Sequence, residues 1–103
     1  IFGGKRTSGD YGFAHLVNQR YEEASSEFIK YIGGYPNHSL KSKAEEMLVF
    51  SYVQIPFQQF REGMKSLKDK DLETAARWFN KASETADEDL LFEIRETQMR
   101  YKL

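Results

Sequence analysis

Apolar residues recur along this chain at spacings of three and four. The clearest run is residues 72–82, LETAARWFNKA, in which Leu72, Ala75 and Phe79 fall on one face of a helix. Residues 21–31, YEEASSEFIKY, repeat the pattern with Tyr21, Ala24 and Phe28. A large-small-large row suits a helix crossed closely by a neighbour. The small residue lets the axes approach and the large ones flank the contact. Each copy has a glycine nine residues before its first large residue, Gly12 and Gly63, and a leucine four residues after that glycine, Leu16 and Leu67. The spacing predicts a helical hairpin that occurs twice, the copies 51 residues apart.

The remaining elements follow from the same periodicity. Residues 1–10 hold Gly3, Gly4 and Gly9 among Lys, Arg, Thr and Ser and read as a flexible N-terminal tail, leaving residues 11–103 as the helical domain. A short helix is expected over residues 11–17, carrying Phe13, Leu16 and Val17, with Asn18 as a cap in the turn that follows. A second is expected over residues 20–32, ended by Gly33-Gly34 in the left-handed conformation and kept from continuing by Tyr35-Pro36. Asn37 or Ser39 can cap a third, whose inward row is Leu40, Ala44, Met47, Leu48, Ser51, Tyr52 and Ile55. Val49, Phe50 and Val53 make that helix apolar nearly all round, which predicts the most buried element of the fold. Pro56 then interrupts it. The chain either reverses near residues 54–55, giving about six helices, or kinks there without reversing. In the second case residues 40–67 form one element of about 28 residues, roughly 42 Å long, one half of it without a neighbour in its own chain, and Phe50, Val53, Ile55, Phe57 and Phe60 around Pro56 make an exposed patch of the kind that marks an interface. A helix beginning at Pro56 would present Phe57, Phe60, Met64 and Leu67. A fifth, over residues 72–85, would turn Leu72, Ala75, Trp78, Phe79 and Ala82 inward, and Asp87 would cap a sixth. Strand-like alternation is lacking, so the fold class is all-α.

Composition narrows the class further. With 103 residues, 40% hydrophobic and 15% aromatic, the chain can build one core-bearing domain without staples. Cysteine is absent, which excludes disulfides and thiolate metal sites and leaves the compartment open. A net charge of −1 gives no bulk attraction to nucleic acid or membrane. No apolar run reaches the roughly 18 residues of a membrane span. The chain begins at Ile1 rather than Met, which reads as a processed or excised piece.

Catalytic and metal chemistry find no foothold. The two histidines, His15 and His38, lie in no metal spacing. The GGKRT string at residues 3–7 lacks the first glycine of a phosphate loop and has Arg6 where Ser or Thr belongs. Asp87-Glu88-Asp89 lacks the glycine and distal glutamate of a calcium loop and suits a helix start. No hydroxyl is paired with a histidine and an acid. No enzyme activity and no cofactor are expected. Arg61, Lys65, Lys68 and Lys70 form a small basic cluster, a weak argument for nucleic acid.

The string G-x-x-x-L-x-x-x-x-L-x-x-A-x-x-x-F-x-x-A runs from Gly63 to Ala82, and Gly12 to Phe28 repeats it with Tyr31 in the place of the last alanine. On these residues the chain resembles the tetratricopeptide repeat family over roughly three quarters of its length. The turn Tyr35-Pro36-Asn37-x-Ser39 followed by Ala44-Glu45-Glu46 is similar to a subgroup common in bacterial cell-envelope proteins, which favours the envelope or periplasm over the cytoplasm. The resemblance implies antiparallel helical hairpins stacked as a fragment of a right-handed α-solenoid. It departs from the family in one respect. The copies are 51 residues apart, against about 34 for consecutive repeats, an excess of about 17. One helix has been inserted between them, or the shared helix is about twice the usual length.

The function these features imply is a non-enzymatic protein–protein interaction module or scaffold. A peptide or helix would lie against the first helices of the hairpins, on Phe13, Leu16, Phe57, Phe60 and Met64. Family members that grip acidic tails use paired Lys and Asn on those faces; apolar residues stand there in this chain, against a carboxylate clamp. The alternative is a self-associating assembly domain, a homodimer through residues 40–67.

Overall fold

The computed structural model describes residues 7–103. All regular structure among them is helical, in five helices: α1 (Ser8–Val17), α2 (Tyr21–Gly34), α3 (Lys41–Lys68), α4 (Leu72–Ser83) and α5 (Glu88–Tyr101). The chain divides into two compact units, the first ending at Tyr52 and the second running from Val53 to Leu103. The boundary falls inside α3, so the third and fourth of the six expected helices are one helix of 28 residues with Pro56 in its interior. The chain does not reverse at residues 54–55. The long shared helix accounts for the extra residues between the two hairpin copies.

In the first unit α1 and α2 pack side by side. Ala24, Phe28, Tyr31, Ala44 and Met47 form the core, with Phe13, Leu16, Ile32, Leu40 and Leu48 packed around it. α1 starts three residues earlier than its periodicity suggests, because the Asp10 carboxylate accepts a hydrogen bond from the Thr7 backbone N–H at 3.0 Å and closes the first turn. Ser8, Gly9 and Asp10, expected in the tail, are therefore helical; residues 1–6 of that tail, with most of the GGKRT string, lie outside the described residues. Gly33 and Gly34 do not break α2 in a left-handed turn. They are its last two helical residues, and the helix ends at Tyr35, the residue that Pro36 bars from helical geometry. Asn18 caps the end of α1, its Nδ2 donating to the Ala14 carbonyl at 2.8 Å, and not the start of α2.

In the second unit Ala75, Phe79, Ala82, Leu90 and Ile94 form the core, with Phe60, Leu67, Ala86 and Leu103 against it. α4 and α5 pack on each other. Asp87 caps α5, its Oδ1 accepting from the Leu90 N–H at 2.8 Å.

The two hairpins agree in detail. Each turn holds one residue in the left-handed region, Gln19 at φ 59° and Lys70 at φ 61°. The next residue leads into the second helix at φ −94°, ψ 76° for Arg20 and φ −95°, ψ 82° for Asp71. The Arg20 N–H donates to the His15 carbonyl and the Asp71 N–H to the Ser66 carbonyl, both at 2.9 Å. The glycines of the repeat have a physical reason. A methyl group at Gly12 would lie 2.9 Å from Cε1 of Phe28, and one at Gly63 would lie 2.7 Å from Cε1 of Phe79. Each phenylalanine ring, fully buried, lies flat in the notch its glycine leaves in the facing helix.

Candidate functional site

α3 is the element whose burial departs most from its sequence pattern. Its stretch from Met47 to Val53 is apolar on nearly every face, yet only Met47 and Ser51 of that stretch are buried. Packing elements cover one side of a helix, and apolar residues on the other side stay in water. Val49 is 61% exposed, Val53 50%, Phe57 37% and Met64 42%. Val53, Phe57 and Met64, all in the second unit, follow one another at spacings of four and seven, so they form one ridge along that part of the helix. Phe50 and Tyr52 are also about half exposed, Phe50 with its ring edge-on to Tyr21 at 6.2 Å between centroids. Tyr52, expected in the inward row, points to solvent.

The five residues expected to bind a partner divide into two groups. Phe57 and Met64 are exposed. Phe13 and Leu16 are half-buried against the core of the first unit. Phe60 is half-buried in the second, tilted against the ring of Phe79 at 5.5 Å. Their apolar area is largely spent on packing. Val53, expected at the surface if the chain runs on through Pro56, is exposed as that case requires, whereas Val49 was not expected there.

Two open depressions lie in the second unit. One, of about 540 Å³, is lined by Met64, Lys65, Leu67, Lys68 and Tyr101. It brings part of the basic cluster next to Met64. The other, of about 350 Å³, is lined by Thr74, Arg77, Trp78 and Lys81, with the Lys81 ammonium 5.8 Å from the centre of the Trp78 ring. Trp78, expected inside, is half-exposed there because α4 turns Ala75, Phe79 and Ala82 to the core instead. Leu72 is also outside: it is 49% exposed, whereas its counterpart Tyr21 is 8% exposed.

The titratable groups have local work. His38 Nδ1 accepts from the Leu40 N–H at 3.1 Å and lies 2.9 Å from the Tyr31 hydroxyl, pinning the loop between α2 and α3. Burial pushes the Tyr31 phenol above its ordinary value, and Tyr35 and Asp10 add to the shift. His15 Nδ1 accepts from Arg20 Nε at 2.9 Å across the first hairpin turn. Among the described residues no group of three His, Asp or Glu is placed to hold a metal, and no helix is long and apolar enough to cross a membrane. Comparison with family models, curated proteins and solved structures finds no match.

Proposed function

We propose that this chain is a non-enzymatic protein-interaction module built from two helical hairpins of the tetratricopeptide type. The observation that carries the reading is the exposed apolar ridge of α3 within the second unit, Val53, Phe57 and Met64. Surfaces of this kind, contiguous and apolar on an otherwise charged chain, mark places where another macromolecule docks. The hairpin repeat supports the family assignment through the paired turns and the glycine notches, which reproduce one geometry at a spacing of 51 residues. An α-helix laid along such a ridge is the partner form that its spacings of four and seven fit best.

The experiment is a selection from a displayed library of amphipathic helical peptides, followed by titration of the winners against the wild-type chain and the variants Phe57→Asp and Met64→Asp. Both positions are solvent-exposed, so helicity should be unchanged in each variant. Peptides whose affinity falls at least tenfold on both substitutions support the reading. Peptides indifferent to both, or no binders at all, overturn it.

A further inference from the structure

We propose that the partner of the second unit is an acidic amphipathic helix, with its apolar face on Val53, Phe57 and Met64 and its carboxylates on Arg61, Lys65 and Lys68. All six residues are exposed and belong to the stretch of α3 inside the second unit. At about 100° per residue the three apolar side chains fall within about 40° of one another around the helix. Arg61, Lys65 and Lys68 lie together on one side of them, about 40–100° from Met64. On the other side Phe60 and Leu67 pack against the core of the unit. The ridge therefore has one edge closed by its own core and the other lined with cations. Glu62, the acid of α3 in this stretch, is about 160° from Met64 and turned away from the ridge. Among the described residues none of the three cations has an ion pair or a side-chain hydrogen bond, so their charge is uncommitted. The ridge runs into the depression of about 540 Å³ where Met64, Leu67 and Tyr101 stand beside Lys65 and Lys68. An apolar side chain inserted there would carry neighbouring carboxylates onto the two ammonium groups. From Val53 to Lys68 the face is about 22 Å long, roughly four turns of a partner helix. A nucleic-acid backbone would meet the cations and leave the ridge in water. An anionic lipid surface would meet both, but three cations attract it weakly, and it is flat where the second unit has a hollow.

This inference rests on reading the ridge as a docking face, and it adds the chemistry of the partner. The probes are two labelled helical peptides of four turns. Both carry leucines on one face at spacings of four and seven; one has glutamates along an edge of that face and the other has lysines there. The glutamate peptide should bind the wild-type chain at least tenfold more tightly than the lysine peptide, and the difference should shrink as salt is added. The double variant Lys65→Glu/Lys68→Glu should invert the preference, and the milder Lys65→Gln/Lys68→Gln should reduce it, both with the helical circular dichroism unchanged. Equal binding of the two peptides overturns the acidic partner and leaves the docking face standing. A preference indifferent to both pairs of lysine substitutions overturns it too. Sedimentation of the chain with phosphatidylserine vesicles, without binding of the glutamate peptide, overturns it in favour of a membrane surface. Failure of both peptides overturns the acidic partner alone when the library selection still yields binders sensitive to Phe57→Asp and Met64→Asp, and overturns the docking face as well when it does not.

Discussion

The two hairpins share a backbone and differ in how they secure it. Both turns use one left-handed residue and the same backbone hydrogen bond, and both seat a phenylalanine on a glycine. The second turn adds a side-chain cap: Asp71 Oδ1 accepts from the Thr74 N–H at 3.1 Å. The first has Arg20 at that place, which cannot accept, and spends its guanidinium on His15. Further along, the first unit fills its core with Tyr31 and ties the hydroxyl to His38, whereas the second has the small Ala82 in the corresponding position and closes with Leu90 and Ile94. The ring on the glycine is common to both units, and what surrounds it is interchangeable.

That comparison breaks most readily at the rings. Phe28→Ala and Phe79→Ala each empty a fully buried site and should each cost about 3–5 kcal/mol in denaturant titration. Near-equal losses sharpen the equivalence of the units, and a loss below about 1 kcal/mol in either would show that its ring is not the centre of that core. Next come the notches. Gly12→Ala and Gly63→Ala gain about 1 kcal/mol of helix propensity but force a methyl group into a buried ring, an overpacking that costs about 1–3 kcal/mol. Both should lower the thermal midpoint, Gly63→Ala more, since its contact is the closer. A raised midpoint for either would mean that the ring can slide off its glycine.

A smaller effect separates the units. Tyr31→Phe should cost about 0.5–1.5 kcal/mol through the lost hydrogen bond to His38 and has no counterpart at Ala82. The raised pKa gives a sign to check. The native state holds the phenolic proton more tightly than the unfolded chain, so this contribution is whole below the ordinary tyrosine value of 10.0 and is lost as pH rises through the native pKa. The wild type should lose stability above that value more steeply than Tyr31→Phe, and identical alkaline profiles would contradict the burial of the phenol. The smallest effect is the cap. The hydrogen bonds from Thr74 hold the Asp71 carboxyl below its usual range, so its contribution is whole above the ordinary carboxylate pKa and is lost as pH falls through the native one. Asp71→Ala should lower the midpoint slightly at neutral pH and not at all in strong acid. Arg20→Asp, on nearly identical torsions, should transplant the cap and raise the thermal midpoint slightly.

Helix type, the repeat and its spacing were legible because periodicity and a large-small-large row are local properties of the chain. Gly12 and Gly63 were visible as markers, but the ring that each accommodates comes from the facing helix, and no local pattern names it. Gly33-Gly34 misled because the helix end was set by Pro36 two residues on. Pattern identified which residues share a face and not which faces acquire a neighbour. Hence Leu72 and Trp78 were placed inside. For the same reason residues 47–53, apolar all round, were read as the most buried stretch when they hold much of the exposed apolar surface. The candidate site was partly legible: Phe57 and Met64 were expected to bind and Val53 to be exposed if the helix runs through Pro56, while Val49 was hidden by the assumption that apolar bulk means burial.

Pro56 has a consequence for how the fold comes apart. It lacks an N–H, so the carbonyl four residues earlier loses its partner in the helical ladder, and that carbonyl belongs to Tyr52, where the first compact unit ends. The missing rung and the unit boundary coincide. A helix shared by two units would ordinarily bind them into one cooperative block, because fraying one half would pull on the other. Here the relay is cut where the units join, so each half of α3 can open with its own hairpin. Hydrogen exchange should therefore show openings that begin at the proline as well as at the helix ends.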